Sequence, residues 1–155
     1  VDKLGDEYAL LVMSKDYKKL EDVSSNNIYL MPFITPPEHL EVTSWAYMGV
    51  LTYSPIHNGT TSPLNAVYCA PNKLFEYAMF GIPMLGNNIP GLKYSVALNN
   101  MGVCFDEYNE LSIIDAIKKI ELNYDVYSSN ALKYYDSVDN YQTLIDILSF
   151  SKAQN

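Results

Sequence analysis

Ala70-Pro71-Asn72-Lys73-Leu74-Phe75-Glu76-Tyr77-Ala78-Met79-Phe80-Gly81-Ile82-Pro83-Met84-Leu85-Gly86 is the stretch on which the reading of this chain turns. Pro71 stands where a first helical residue belongs, since its missing N–H is an orphan there anyway. Gly81 stands where a left-handed C-terminal cap belongs, and Pro83 stops any continuation. The spacing predicts a helix of about two and a half turns feeding a buried strand. Glu76 is the only acidic residue between Pro71 and Gly91, set among Leu74, Phe75, Tyr77, Ala78, Met79 and Phe80. A carboxylate in such company needs a partner. Two readings stand. One is an i, i+3 pair with Lys73 on a solvated helix face, worth a few tenths of a kcal/mol. In the other, Glu76 accepts hydrogen bonds from neutral hydroxyls of a ligand, while the free amides of Asn72 and Lys73 and the Lys73 ammonium face a phosphate.

Outward from this stretch, short apolar runs alternate with amphipathic ones, the rhythm of βα units around a mainly parallel sheet. Strands are predicted over Tyr8 to Met13, Asn27 to Met31, Met48 to Thr52, Met84 to Gly86 and Gly102 to Phe105, most of them short enough to be buried on both faces. Helical spacing occupies Lys15 to Asp22, Pro37 to Trp45, Asn72 to Phe80 and Gly91 to Asn99. Leu111, Ile114, Ile117 and Ile120 form the clearest helical stripe, opening after Asn109 as N-cap with Glu110 in the first turn. Two more amphipathic segments, Val126 to Val138 and Tyr141 to Phe150, make the last third all helical. Tyr124, Tyr127, Tyr134, Tyr135 and Tyr141 are expected there as half-buried rings covering the sheet.

The 155 residues suit one domain with one core. Ten positive side chains against eighteen acidic ones give 10 − 18 = −8, the wrong sign for gripping nucleic-acid phosphates or anionic lipid. No apolar run reaches the length of a membrane span. All ten cations are Lys, so any anion site must use Lys, backbone amides or a helix N-terminus. Cys69 and Cys104 are isolated, with no CxxC and no His at metal-ligand spacing, and read as reduced, buried small hydrophobes. The acidic, polar stretch Val1 to Tyr8 carries no secretory signal, which predicts a cytoplasmic protein. Asn58-Gly59-Thr60 reads as turn chemistry rather than a glycosylation site. His39 and His57 are lone histidines, expected at surface or loop positions and given no catalytic role.

The heptapeptide Pro71-Asn72-Lys73-Leu74-Phe75-Glu76-Tyr77 followed by Gly81-Ile82-Pro83 resembles the "PNKLFEY…GxP" signature of the C-terminal, donor-binding half of GT-B glycosyltransferases. It is closest to the large retaining group of glycogen-synthase-like and capsule-building enzymes. Ile28 to Ile34 resembles the group's strand and loop "v.flG.v", and Trp45 to Tyr53 its "adi.l.py" strand. Pro90-Gly91-Leu92 through Met101-Gly102-Val103 resembles "pgl.e.v…G", and Asp106 to Ile120 "d..el..ai..i". The flanking matches come in order from about Tyr8 to Phe150.

The resemblance implies an α/β, Rossmann-like three-layer parallel sheet, the C-terminal half of a GT-B fold. It also implies transfer of a glycosyl group from a nucleoside diphosphate sugar to an acceptor hydroxyl in polysaccharide biosynthesis, with retained configuration. No cofactor beyond the donor substrate and no metal are implied, consistent with the absence of a DxD or His cluster. Glu76 resembles the glutamate that hydrogen-bonds the donor ribose. Asn72, Lys73 and Leu74 would lie at the helix start facing the diphosphate, and Phe33, Ile34 and Thr35, in the loop from Pro32, beside the nucleobase. Asn65 closes a loop from Pro55 whose small polar residues could cover a sugar diphosphate. Many members carry a second glutamate eight residues before the first, where this chain has Tyr68.

The group's domain also opens with a strand, a Gly-containing turn and cations that do not fit in Val1 to Glu7. Residues 1–155 are therefore read as one donor-binding domain whose first βα unit, and whose acceptor-binding N-terminal half as partner, are missing. Lys15, Lys18 or Lys19 are the alternative source of the lost cations. The catalytic residues are not identified. Two rival readings remain: a GT-B-shaped sugar-nucleotide epimerase, which needs acid/base carboxylates the sequence does not offer, and a non-catalytic flavodoxin-like interaction domain.

Overall fold

A computed structural model describes residues 1–23, 26–53, 64–69 and 71–152. Five strands lie close to the predicted positions: β1 (Leu10–Ser14), β2 (Ile28–Pro32), β3 (Gly49–Leu51), β4 (Met84–Asn87) and β5 (Gly102–Phe105). Every pairing is parallel, and the strands form two sheets, β1-β2 and β3-β4-β5. The architecture is α/β and compatible with a Rossmann-like fold. One edge of β3 and one of β1 have no strand partner among the described residues.

The described residues also form seven α-helices: α1 (His39–Ser44), α2 (Leu64–Val67), α3 (Asn72–Met79), α4 (Pro90–Leu92), α5 (Glu110–Leu122), α6 (Tyr124–Ser137) and α7 (Asn140–Lys152). The expected helix over Lys15 to Asp22 is a 3-10 helix (Tyr17–Val23), and α4 runs on as a π-helix (Lys93–Ala97). α5 begins as its cap predicts, with the Asn109 side chain accepting the Ser112 N–H at 2.9 Å. α3 starts at Asn72, where its spacing predicts, but extended Pro71 is its N-cap rather than its first helical residue. Gly81 takes the left-handed conformation, φ 64°, that ends the helix. A side chain there would also press on Leu132 and Ser128 of α6.

Alternate residues of β4 serve opposite faces of its sheet. Met84 packs with Leu51, Leu74, Ala78, Leu92, Val96, Met101 and Ala131, under α3, α4 and α6. Leu85 packs on the other side with Phe105, Ala116, Ile117 and Ile120, under α5. All four β4 residues are buried, as a strand covered on both faces should be. The same expectation fails for β1 and β2. Leu11 and Tyr29, directly opposite each other, are 50% and 57% exposed, because this pair of strands is not covered on both sides. The tyrosines also divide: Tyr124, Tyr127 and Tyr134 are half-buried, whereas Tyr135 and Tyr141 face outward on α6 and α7.

Both cysteines are free. Burial pushes both thiols up, Cys104 from 9.0 to about 11 with help from the nearby Asp106 carboxylate, and burial likewise raises the Tyr53 hydroxyl from 10.0 to about 12. These groups hold their protons in the folded chain at pH values where the unfolded chain has lost them. Their contribution is complete below about pH 9 and lost as pH rises toward 12. The urea midpoint is therefore expected to fall steadily across that window. A midpoint independent of pH between 9 and 12 would contradict this account.

Candidate functional site

α3 follows β3 and α1 follows β2, so the starts of both helices lie on the side of the sheets where the strands end. This is where open α/β sheets place ligands. Glu76 is the fifth residue of α3 and His39 the first of α1. His39 Nε2 lies 3.2 Å from Glu76 Oε1, and the two side chains are only 16% and 24% exposed. The His39 backbone N–H donates to the Thr35 carbonyl at 3.4 Å, and the Thr43 hydroxyl donates to the His39 carbonyl at 3.0 Å. Thr35, within the loop after β2, is thereby tied to the helix that carries the histidine.

This arrangement sets aside one of the two readings of Glu76 and corrects the expectation for His39. Among the described residues Lys73 forms no ion pair with Glu76; its side chain is exposed while Glu76 turns inward to His39. His39 is no surface or loop histidine, since it opens α1 and has most of its imidazole covered. His57 lies outside the described residues.

Asn72 and Lys73 are exposed at the start of α3, in a position to present their amides. Leu74 is not: its side chain is 1% exposed in the core, and its N–H is taken by the Pro71 carbonyl at 2.9 Å. Its assignment to a diphosphate site is therefore withdrawn. The residue has neither an accessible side chain nor a free amide to offer.

Phe33 is 43% exposed just beyond β2, with the Lys15 ammonium 5.1 Å from its ring centroid. The Ile34 N–H donates to Met13 Sδ at 3.4 Å, so the ends of β1 and β2 are joined below this exposed ring. Asn65 belongs to the short helix α2 rather than to a loop, and 55–63, the rest of the segment expected to cover a diphosphate, lie outside the described residues. Tyr68 is 77% exposed after α2.

Asn87 ends β4 and is 3% exposed. Its amide oxygen accepts the Tyr53 N–H and its amide nitrogen donates to the Tyr53 carbonyl, both at 2.9 Å. One side chain thus continues the ladder past the end of β3 and holds the Tyr53 backbone against the end of β4. A polar residue closing an apolar strand was the available signal, and the sequence reading passed over it.

A shallow cleft of about 830 Å³ lies against the loop between β5 and α5, lined by Asp106, Glu107, Glu110 and Asp115 among others. None of the site residues above lines it, and four carboxylates make it a poor receptor for a diphosphate. Among the described residues no helix is long and apolar enough to cross a membrane. A scan against protein-family models finds no match, and a search of curated proteins finds none either.

Proposed function

We propose that this chain is the nucleotide-sugar-binding half of a retaining GT-B glycosyltransferase, acting in polysaccharide synthesis together with an acceptor-binding domain. The observation that carries the reading is Glu76 itself. It is withdrawn from Lys73, partly covered, and held by a histidine of the neighbouring βα unit on the ligand side of the sheets. A surface ion pair needs no such support. In this reading the Glu76 carboxylate accepts ribose hydroxyls, and Asn72, Lys73 and the start of α3 meet the diphosphate. Phe33, Ile34 and Thr35 border the base. The alternatives are a non-catalytic interaction domain, in which the His39–Glu76 contact only joins α1 to α3, and a sugar-nucleotide epimerase.

The test is calorimetry with UDP, GDP and ADP on the unaltered chain and on Glu76→Gln. Removing a charged acceptor costs about 1.5 to 3 kcal/mol, so affinity is expected to fall roughly ten- to a hundredfold. Equal affinities would return Glu76 to a structural role.

A second expectation follows from the charge balance. The only positive groups this reading places at the diphosphate are Lys73, which is exposed, and one short helix terminus, interactions worth about 0.3 to 1 kcal/mol each and screened by salt. Binding should weaken steadily from low to moderate ionic strength. Affinity unchanged across that range would mean that the diphosphate does not lie at these groups, with Lys15, Lys18 and Lys19 the next to replace.

A further inference from the structure

The enclosed Nδ1 of His39 has no hydrogen-bond partner among the described residues, while the other ring nitrogen lies 3.2 Å from Glu76 Oε1. A buried N–H without an acceptor is costly, and a buried bare lone pair on an imidazole nitrogen is cheaper. The hydrogen therefore belongs on Nε2, pointing at the carboxylate. We infer that His39 is the positioning residue of the nucleotide site, a donor that holds the Glu76 carboxylate in the single orientation a ligand meets. The inference rests on the nucleotide reading and adds to it a residue that touches no ligand atom.

Its physical content is preorganisation. A glutamate side chain with three rotatable bonds loses rotamer freedom when a ligand fixes it, and a carboxylate fixed beforehand loses less. With Oε1 engaged by His39, Oε2 has no partner among the described residues and is the oxygen this inference assigns to a ligand hydroxyl. The arrangement also keeps Glu76 from turning out to Lys73, which leaves that ammonium available for an anion. His39 can hold this position because α1 begins directly after the β2 loop, where the Thr35 carbonyl receives its backbone N–H and the Thr43 hydroxyl bonds its carbonyl.

The experiment compares His39→Gln with His39→Asn. The glutamine amide nitrogen reaches about as far from the backbone as Nε2, whereas the asparagine amide falls short, and the two substitutions are otherwise alike in polarity. Calorimetry with UDP, GDP and ADP on the 155-residue chain is the readout, with thermal midpoints recorded for each variant. Glutamine should keep affinity within about twofold of the unaltered chain, and asparagine should lose about five- to tenfold at a similar midpoint. Equal affinities for the two variants would overturn the positioning role. Glu76→Gln runs alongside. If the unaltered chain binds none of the three nucleotides, or binds them no better than Glu76→Gln, the nucleotide reading itself falls and this inference with it. If Glu76→Gln loses affinity while the two His39 variants match, the nucleotide reading stands and the inference alone fails.

Discussion

Replacing Gly102 with alanine is expected to cost about 3 kcal/mol or more, the upper end of what overpacking a tight interior produces. Gly102 opens β5 directly opposite Met84 of β4. A Cβ there would collide with the Met84 carbonyl oxygen and lie 2.7 Å from its carbonyl carbon and nitrogen. These are backbone atoms of a strand buried on both faces, so no flexible side chain can swing aside, and β4 and β5 must part at the very place where their ladder starts. For a chain of this size the loss corresponds to a fall of roughly 6 to 12 °C in Tm. Gly5→Ala is the control, for there an added Cβ meets nothing within 4 Å and the only strain comes from the backbone, φ 85° and ψ −175°, at roughly 1 to 3 kcal/mol. Thermal unfolding of the two variants side by side decides the matter. A Gly102→Ala protein no less stable than Gly5→Ala would mean that β4 and β5 are not packed as closely as described.

Asn87→Leu should be comparably damaging by a different mechanism. Leucine fills a similar volume but strands both the N–H and the carbonyl of Tyr53, which Asn87 satisfies at 2.9 Å each. An unpaired buried polar group costs about 1 to 3 kcal/mol, so a total of about 2 to 6 kcal/mol is expected in urea unfolding. The effect should also be local. Tyr53 marks where the chain leaves β3 on its way to α2 and α3, so its amide should exchange faster with solvent and nucleotide affinity should weaken beyond what the stability loss alone explains. If Asn87→Leu is as stable as the unaltered chain, the Tyr53 backbone is finding other partners and Asn87 is not the clamp.

The elements of this fold were legible where their signals are local. Asn109 capping α5, Gly81 closing α3 and the apolar run of β4 each act within one turn or one strand, and each stands where the sequence puts it. Burial was less legible. The apolar character of Leu10 to Met13 reads the same as that of Met84 to Leu85, yet β1 leaves Leu11 half exposed, because burial depends on what covers a strand and not on the strand. The site was half legible in the same sense. Glu76 stood out as a carboxylate in apolar company, but a reading along the helix could offer it only Lys73, since helical neighbours within one turn are the only partners that spacing reveals.

By itself, then, the sequence determined the α/β alternation, the starts of α3 and α5, and the oddity of Glu76. These follow from backbone sterics, capping and the cost of an unpaired charge, all of which act over a few residues. Only the tertiary structure decided that the partner of Glu76 is His39, that Leu74 belongs to the core and that Asn87 holds Tyr53. Each of those contacts joins segments brought together by parallel strand pairing and its crossovers, and no periodicity in a single chain encodes which distant side chains such crossovers will set 3 Å apart.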